Sequence, residues 1–195
     1  MKKLWRSFPL VLILSVFIFG GGGENPQVII QTELGDITVE IYEKAAPITA
    51  SNFLRYVDED RFQDSCFYRV VRMDNQPDDK IKIEVIQGGL AFTSRDKMLP
   101  PIKHETTKNT GILHKDGAIS MGRLGPGTAT SEFFICVGDQ PELDFGGRRN
   151  PDGQGFPAFG RVLKGMDVVR KIHLQPAEEQ MLVFRVKISN IVRVR

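Results

Sequence analysis

A chain of 195 residues, 41% hydrophobic and 26% charged, is sized for one domain whose core needs neither disulfides nor metal to hold it. Its formal charge of +2 becomes −1 once Lys2, Lys3 and Arg6 are set aside with residues 1–23, leaving 23 basic against 24 acidic groups; that balance carries no electrostatic footprint for nucleic acid. The two cysteines, Cys66 and Cys136, belong to no CxxC pair. A zinc or dithiol redox motif is therefore not expected, and their apolar flanks fit buried free thiols; a disulfide between them in an oxidising compartment stays open.

Residues 1–23 read as a targeting segment. A basic start (MKKLWRS) precedes a 12-residue apolar run from Phe8 to Phe19, and Gly20 to Gly23 follow as small residues. The run is short for a membrane span, which needs roughly 20 residues. The expectation is export across a bacterial inner membrane, with an uncleaved signal anchor as the alternative. The domain then occupies 24–195.

Residues 28–34 and 36–42 read as a β-hairpin turning at Gly35-Asp36, with Ile37, Val39 and Ile41 alternating against polar neighbours. Pro47 opens a helix over 47–57, where Ala50, Phe53, Leu54 and Val57 recur at helical spacing. Residues 66–71 form a strand with Arg69 inside an apolar run, on the face of Phe67 and Val71 by alternation. A polar loop, 72–82, leads to a strand over 83–87 and then Gly88-Gly89. The stretch 90–117 reads as irregular; its His104 and His114 have polar flanks and no metal-site spacing, which fits surface or turn histidines.

Two apolar strands, 118–121 and 133–137, bracket a loop marked by Gly122, Gly125, Pro126 and Gly127. This hairpin holds no histidine, and Ser120 and Ser131 have no evident base. A Gly-, Pro- and Asp-rich loop fills 138–157, a strand 158–163, a short helix 165–172, and a last strand 181–193, in which Phe184, Val186 and Ile188 alternate with Val183, Arg185 and Lys187. Short strands with two helices near the ends predict a closed antiparallel barrel.

Cys66-Phe67-Tyr68-Arg69-Val70-Val71, then Gln87-Gly88-Gly89, then Ser120-Met121-Gly122 through Phe133-Phe134-Ile135-Cys136 resemble the core motifs of the cyclophilins. Further matches lie at 46–53, at Leu143-Asp144 and at 159–169. The resemblance spans about residues 28–193 and implies an eight-stranded antiparallel β-barrel capped by two helices. It also implies peptidyl-prolyl cis-trans isomerase activity on proline-containing polypeptides, with no cofactor and no metal. It assigns Arg69 and Gln87 to catalysis. Phe134 falls on the floor of the proline pocket, Leu143, Phe156 and Val85 on its walls, and Gly122 and Arg123 on the segment that contacts residues preceding proline.

The chemistry fits these residue types. Rotation about a peptide bond must cross about 18–20 kcal/mol because the C–N bond has double-bond character. Nothing is cleaved, so neither nucleophile nor metal is required. An apolar pocket for the ring, and a guanidinium donating to the amide nitrogen as it regains its lone pair, act mainly in the transition state.

The sequence departs from the family pattern at Glu84, Arg123, Glu132 and Glu142, and in the 72–82 insertion. A Glu84 pointing into the site would pair with Arg69 and place charge against the proline ring. Glu84 and Glu142 together leave room for a second reading, a non-catalytic module that binds proline-containing segments. Glu142 replaces the tryptophan associated with cyclosporin sensitivity, so weak cyclosporin binding is expected. The remaining expectations are a monomer in the periplasm, membrane-attached only if the signal is uncleaved.

Overall fold

The computed structural model of the protein describes residues 24–194, and the export segment expected over 1–23 lies outside the described residues. Among the described residues nine strands run β1 (Gln27–Thr32), β2 (Gly35–Ile41), β3 (Ser65–Val71), β4 (Val85–Gly89), β5 (Ala118–Met121), β6 (Phe133–Cys136), β7 (Ala158–Lys164), β8 (Ala177–Glu178) and β9 (Met181–Arg193). They pair antiparallel in the order β1-β2-β7-β5-β6-β4-β3-β9, and β9 returns to β1. Eight strands thus close on themselves, which removes the sheet edges. The two-residue β8 pairs only with β9, outside the circuit.

The β1–β2 hairpin places Val28 opposite Val39 and Ile30 opposite Ile37, all fully buried. Its turn falls at Glu33-Leu34, two residues before the expected Gly35-Asp36. The Thr32 hydroxyl fixes it, donating to Gly35 O at 2.6 Å and accepting from Leu34 N at 3.1 Å. Helix α1 (Pro47–Asp58) starts on a proline and packs over β7 and β9. Its Phe53 and Tyr56 join Phe62, Phe133 and Phe159 in a chain of ring contacts at 5.0–5.6 Å that fills the barrel. The N-cap Ala46 has no side chain to offer the first turn. Glu105, 56 residues away, takes that role: its carboxylate accepts from Thr49 N at 2.6 Å and from the Thr49 hydroxyl at 2.7 Å.

The 90–117 stretch is more ordered than expected, with a 3-10 turn at Arg95–Lys97 and a one-turn helix, α2 (Thr107–Thr110). Helix α3 (Met166–His173) buries Val169, Ile172 and His173 against β2, β3 and β4. Among the described residues, two helices of ordinary length and the single turn of α2 therefore accompany the barrel. Cys66 and Cys136 are buried free thiols, and burial pushes both pKa values up.

Irregularities on three strands shape the outer wall of the barrel. Strand β4 begins at Val85, not at residue 83, because Ile83 N and O are both bonded to the buried Gln76 amide. The strand continues through Gly88, where a Cβ would stand 2.7 Å from Cys66 O, so only glycine lets β3 approach. On β3 the register shifts between Phe67 and Arg69, with Tyr68 as the extra residue. The bulge separates Arg69 from the face of Phe67: Phe67 and Val70 pack in the barrel interior, whereas Arg69 and Val71 face outward. Strand β9 deviates as well. Phe67 pairs with Val186 and Arg69 with Met181, so the intervening residues swing away from β3. Phe184, expected to share a face with Val186 and Ile188, is 79% exposed.

Candidate active site

On the outer wall of β3, β4 and β6 lies a cleft of about 280 Å³. Adjacent residues of one strand divide between the two faces. Phe133 and Ile135 pack inside the barrel, while Phe134 and Cys136 join Val71, Ile83, Val85, Ala118 and Leu143 in a separate outer cluster, with Phe156 against it. Arg69, Val85, Gln87, Gly122, Arg123, Phe134, Leu143 and Phe156, every site residue expected from the sequence, line this one cleft. Ile83, Leu124, Arg149 and Asn150 complete the lining.

The apolar part is built on Phe134, whose ring meets Phe156 edge-on at 5.4 Å. Beneath it His114 stacks at 5.9 Å and 14°. His114 is buried, contrary to the surface position expected from its polar flanks. Its Nδ1 lies 2.7 Å from Asp144 Oδ1 and its Nε2 lies 3.0 Å from Ser120 Oγ. Ser120 therefore has the histidine partner its own hairpin lacks. The trio is a strut under the pocket floor, since Ser120 is fully buried and does not line the cleft.

Arg123 lines the cleft, but its charge is committed elsewhere. The guanidinium donates to both Asp152 oxygens at 2.7 and 2.8 Å and through Nε to Gly155 O at 2.8 Å, and it lies 5.2 Å over the Phe156 ring. These bonds hold Asp152 at about 2. At Gly155 (φ +63°) a Cβ would stand 2.5 Å from Asp144 C, so glycine is needed to bring Phe156 against Leu143. The loop that delivers Phe156 is thus fastened by the residue that resemblance placed along the substrate chain.

At the polar end Arg69 donates through Nη1 to Gln87 Oε1 at 2.7 Å, and through Nε (3.0 Å) and Nη2 to Gln180 Oε1. Gln87 Nε2 donates to Tyr68 OH at 2.8 Å, and Tyr68 OH donates to Glu132 Oε2. Glu132 Oε1 accepts from Leu90 N, Ala91 N and Ser131 Oγ. A carboxylate only accepts, so Tyr68 must give it the phenolic hydrogen and take one from Gln87. That order leaves the Gln87 carbonyl facing Arg69. Burial and then Glu132 push the Tyr68 phenol up, which keeps it a donor. Burial also lowers the Arg69 pKa, although a guanidinium keeps its proton throughout the accessible pH range.

Two of the three acidic residues that depart from the family pattern, Glu84 and Glu142, stand apart from the cleft. Glu84 precedes Val85, which faces the cleft, and does not line it. Arg69 is held by two neutral amides, not by Glu84. Glu142 pairs with Arg148 at 2.7 Å on the exposed surface. The 72–82 insertion is ordered around Gln76 and Asn75, and Arg149 ties it to the cleft rim by bonds to Ile81 O and Asp79.

Comparison with known proteins identifies the family and the fold. The family described as "Cyclophilin type peptidyl-prolyl cis-trans isomerase/CLD" matches residues 27–193. A peptidyl-prolyl cis-trans isomerase of Acinetobacter baylyi is 37% identical over 76% of this chain and 72% of its own. Peptidyl-prolyl cis-trans isomerase A of Dickeya dadantii is 33% identical over 88% and 84%. A crystal structure of a Cryptosporidium parvum cyclophilin, 20% identical, superposes with a TM-score of 0.69 over 88% of this chain and 98% of that one; a second, determined in the presence of the dipeptide Ala-Pro, gives 0.67. The chain belongs to the cyclophilin-type peptidyl-prolyl cis-trans isomerases. It is an enzyme of that class.

Proposed function

We propose that the cleft isomerises Xaa-Pro bonds with Arg69 as the catalytic residue. The proline ring sits on Phe134 between Leu143, Phe156 and Val85, and the guanidinium donates to the amide nitrogen as the bond twists. The observation that carries this reading is the convergence of a charged, oriented guanidinium and an apolar socket in one cleft. Of five guanidinium hydrogens three are committed, to Gln87 and Gln180, which leaves one on each Nη for substrate. Gln87 keeps one amide hydrogen free for the substrate backbone. Gly122 and the Arg123 backbone border the path of the residues before proline, while the Arg123 side chain secures the Phe156 loop.

A lone pair develops on the amide nitrogen only as conjugation is lost, so the donor acts on the transition state more than on bound peptide. A protease-coupled cis-trans assay on a Xaa-Pro peptide tests the assignment. Arg69→Ala is expected to lower kcat/KM by roughly 10²–10³ with peptide binding largely retained. Undiminished activity in that variant would sink it.

The site of action is argued from residues 1–23, whose basic start, apolar run and small residues support delivery to the periplasm. There the enzyme, as a monomer, assists folding of proline-containing envelope proteins. Osmotic-shock fractionation with N-terminal sequencing checks this; full-length protein confined to the cytoplasm would overturn it.

A further inference from the structure

Gln87 accepts from Arg69 Nη1, but Arg69 has a second partner that no motif announces. Gln180 lies in the turn between β8 and β9, 111 residues away in sequence. Its carbonyl accepts from Val70 N at 2.9 Å, which fixes the turn against β3 directly beside Arg69. Its side-chain oxygen accepts from Nε and Nη2 of Arg69. A guanidinium can only donate, so the amide must present its oxygen there and its Nε2 to the other side. On that side Nε2 donates to Asn75 O at 3.3 Å. Asn75 is itself fastened, with Oδ1 accepting from Arg72 N at 2.7 Å and Nδ2 donating to Val70 O at 3.0 Å. Gln180 and Asn75 thus both close back on Val70, the residue next to Arg69, and form a bracket around it.

The bracket has a mechanical consequence. A single bond from Nη1 to Gln87 leaves a guanidinium free to turn about that contact, and the long arginine side chain has rotamer freedom to exploit. A second acceptor spanning Nε and Nη2 fixes the plane. The space Arg69 would otherwise enter is present: a groove of about 820 Å³, walled by the 74–79 segment and the β8–β9 turn, reaches Arg69 from the far side. Gln180 stands at that junction.

We infer that Gln180 is a positioning residue for catalysis, holding the Arg69 guanidinium in the plane that faces the proline pocket, with the 72–82 insertion as its abutment. The inference rests on the assignment of Arg69 above, and the experiment separates the two. Gln180→Met keeps the side-chain volume and removes the acceptor; Gln180→Glu keeps the acceptor for Arg69 and gives up only the long 3.3 Å bond to Asn75 O. Each is made alone and with Arg69→Ala, and kcat/KM for a Xaa-Pro peptide is measured beside peptide Kd by NMR titration. Gln180→Met is expected to lose roughly tenfold in kcat/KM, with Kd within about twofold, and Gln180→Glu to recover most of that loss. In the Arg69→Ala background Gln180→Met should have no further effect, because its action runs through Arg69. Gln180→Met within twofold of wild type, beside a crippled Arg69→Ala, overturns the inference and leaves Arg69 standing. A loss that persists in the Arg69→Ala background also overturns it, as a merely structural effect. Full activity in Arg69→Ala itself overturns both.

Discussion

Phe133 and Phe134 are neighbours on β6, yet they belong to different worlds. Phe133 meets Phe53, Phe62 and Phe67 edge-on inside the barrel and is fully buried. Phe134 faces outward onto the cleft, backed by His114 and Phe156. Strand alternation lets one segment supply both the packing that holds the barrel closed and the floor of the pocket. The inner face can therefore be tuned for density and the outer face for chemistry, with the backbone as the only shared part.

The largest test of that division removes each ring in turn. Phe133→Ala is expected to cost about 3–5 kcal/mol in urea denaturation, as a large cavity opens among fixed aromatic neighbours. Phe134→Ala should cost less stability, because one side of its ring already faces the cleft, and should weaken peptide binding instead. Equal stability losses from the two variants would show that the two faces are not separable.

Next in size is Arg69→Ala, which belongs wholly to the outer face. Its loss in kcat/KM should come with a far smaller shift in the urea midpoint than Phe133→Ala. Because a guanidinium keeps its proton, the role proposed for Arg69 requires kcat/KM of the wild type to stay flat from about pH 6 to 9. A bell-shaped profile would point to a titrating acid or base instead.

A subtler outer-face effect is expected from Glu132→Gln. It keeps the side-chain shape and is expected to cost roughly threefold to tenfold in kcat/KM. An amide nitrogen facing Tyr68 would make the phenol accept there and donate toward Gln87, turning the Gln87 amide the wrong way round for Arg69. Unchanged or improved activity would show that hydrogen-bond polarity does not matter in this relay.

The smallest effect concerns the Arg123–Asp152 clamp. The Asp152 carboxyl is depressed from 3.8 to about 2, chiefly by its bonds to Arg123. A depressed carboxyl contributes stability that is complete above the unfolded value and is lost as pH falls through the folded one. The clamp should therefore hold the Phe156 loop until pH drops below about 4 and release it toward about 2. A carboxyl titration by NMR with its midpoint at the ordinary value would show the pair to be loose.

Much of the fold was legible because it is written in short-range patterns. The barrel and α1 follow from alternation and helical spacing, and the roles of Arg69, Gln87 and Phe134 from the family resemblance that the order of motifs carries. What escaped depends on long-range partners. Alternation placed Arg69 with Phe67, but a bulge at Tyr68 parts them, and single-sequence periodicity does not mark a bulge. His114 carries polar flanks, yet it is buried because Asp144, 30 residues on, supplies its partner. Glu84 and Glu142 looked threatening only while their directions were unknown. Gln180 gave no signal at all, since a glutamine in a surface turn has no pattern until the turn is folded against β3.

The carboxylate of Glu105 at the start of α1 has a consequence for the order in which this chain can mature. A helix whose first-turn amide at Thr49 is satisfied from residue 105 cannot be finished while only its own segment has left the ribosome. Helix α1 and the long 90–117 excursion are thereby coupled, and protection of the Thr49 amide against hydrogen exchange is expected to report the closing of that excursion rather than the winding of the helix.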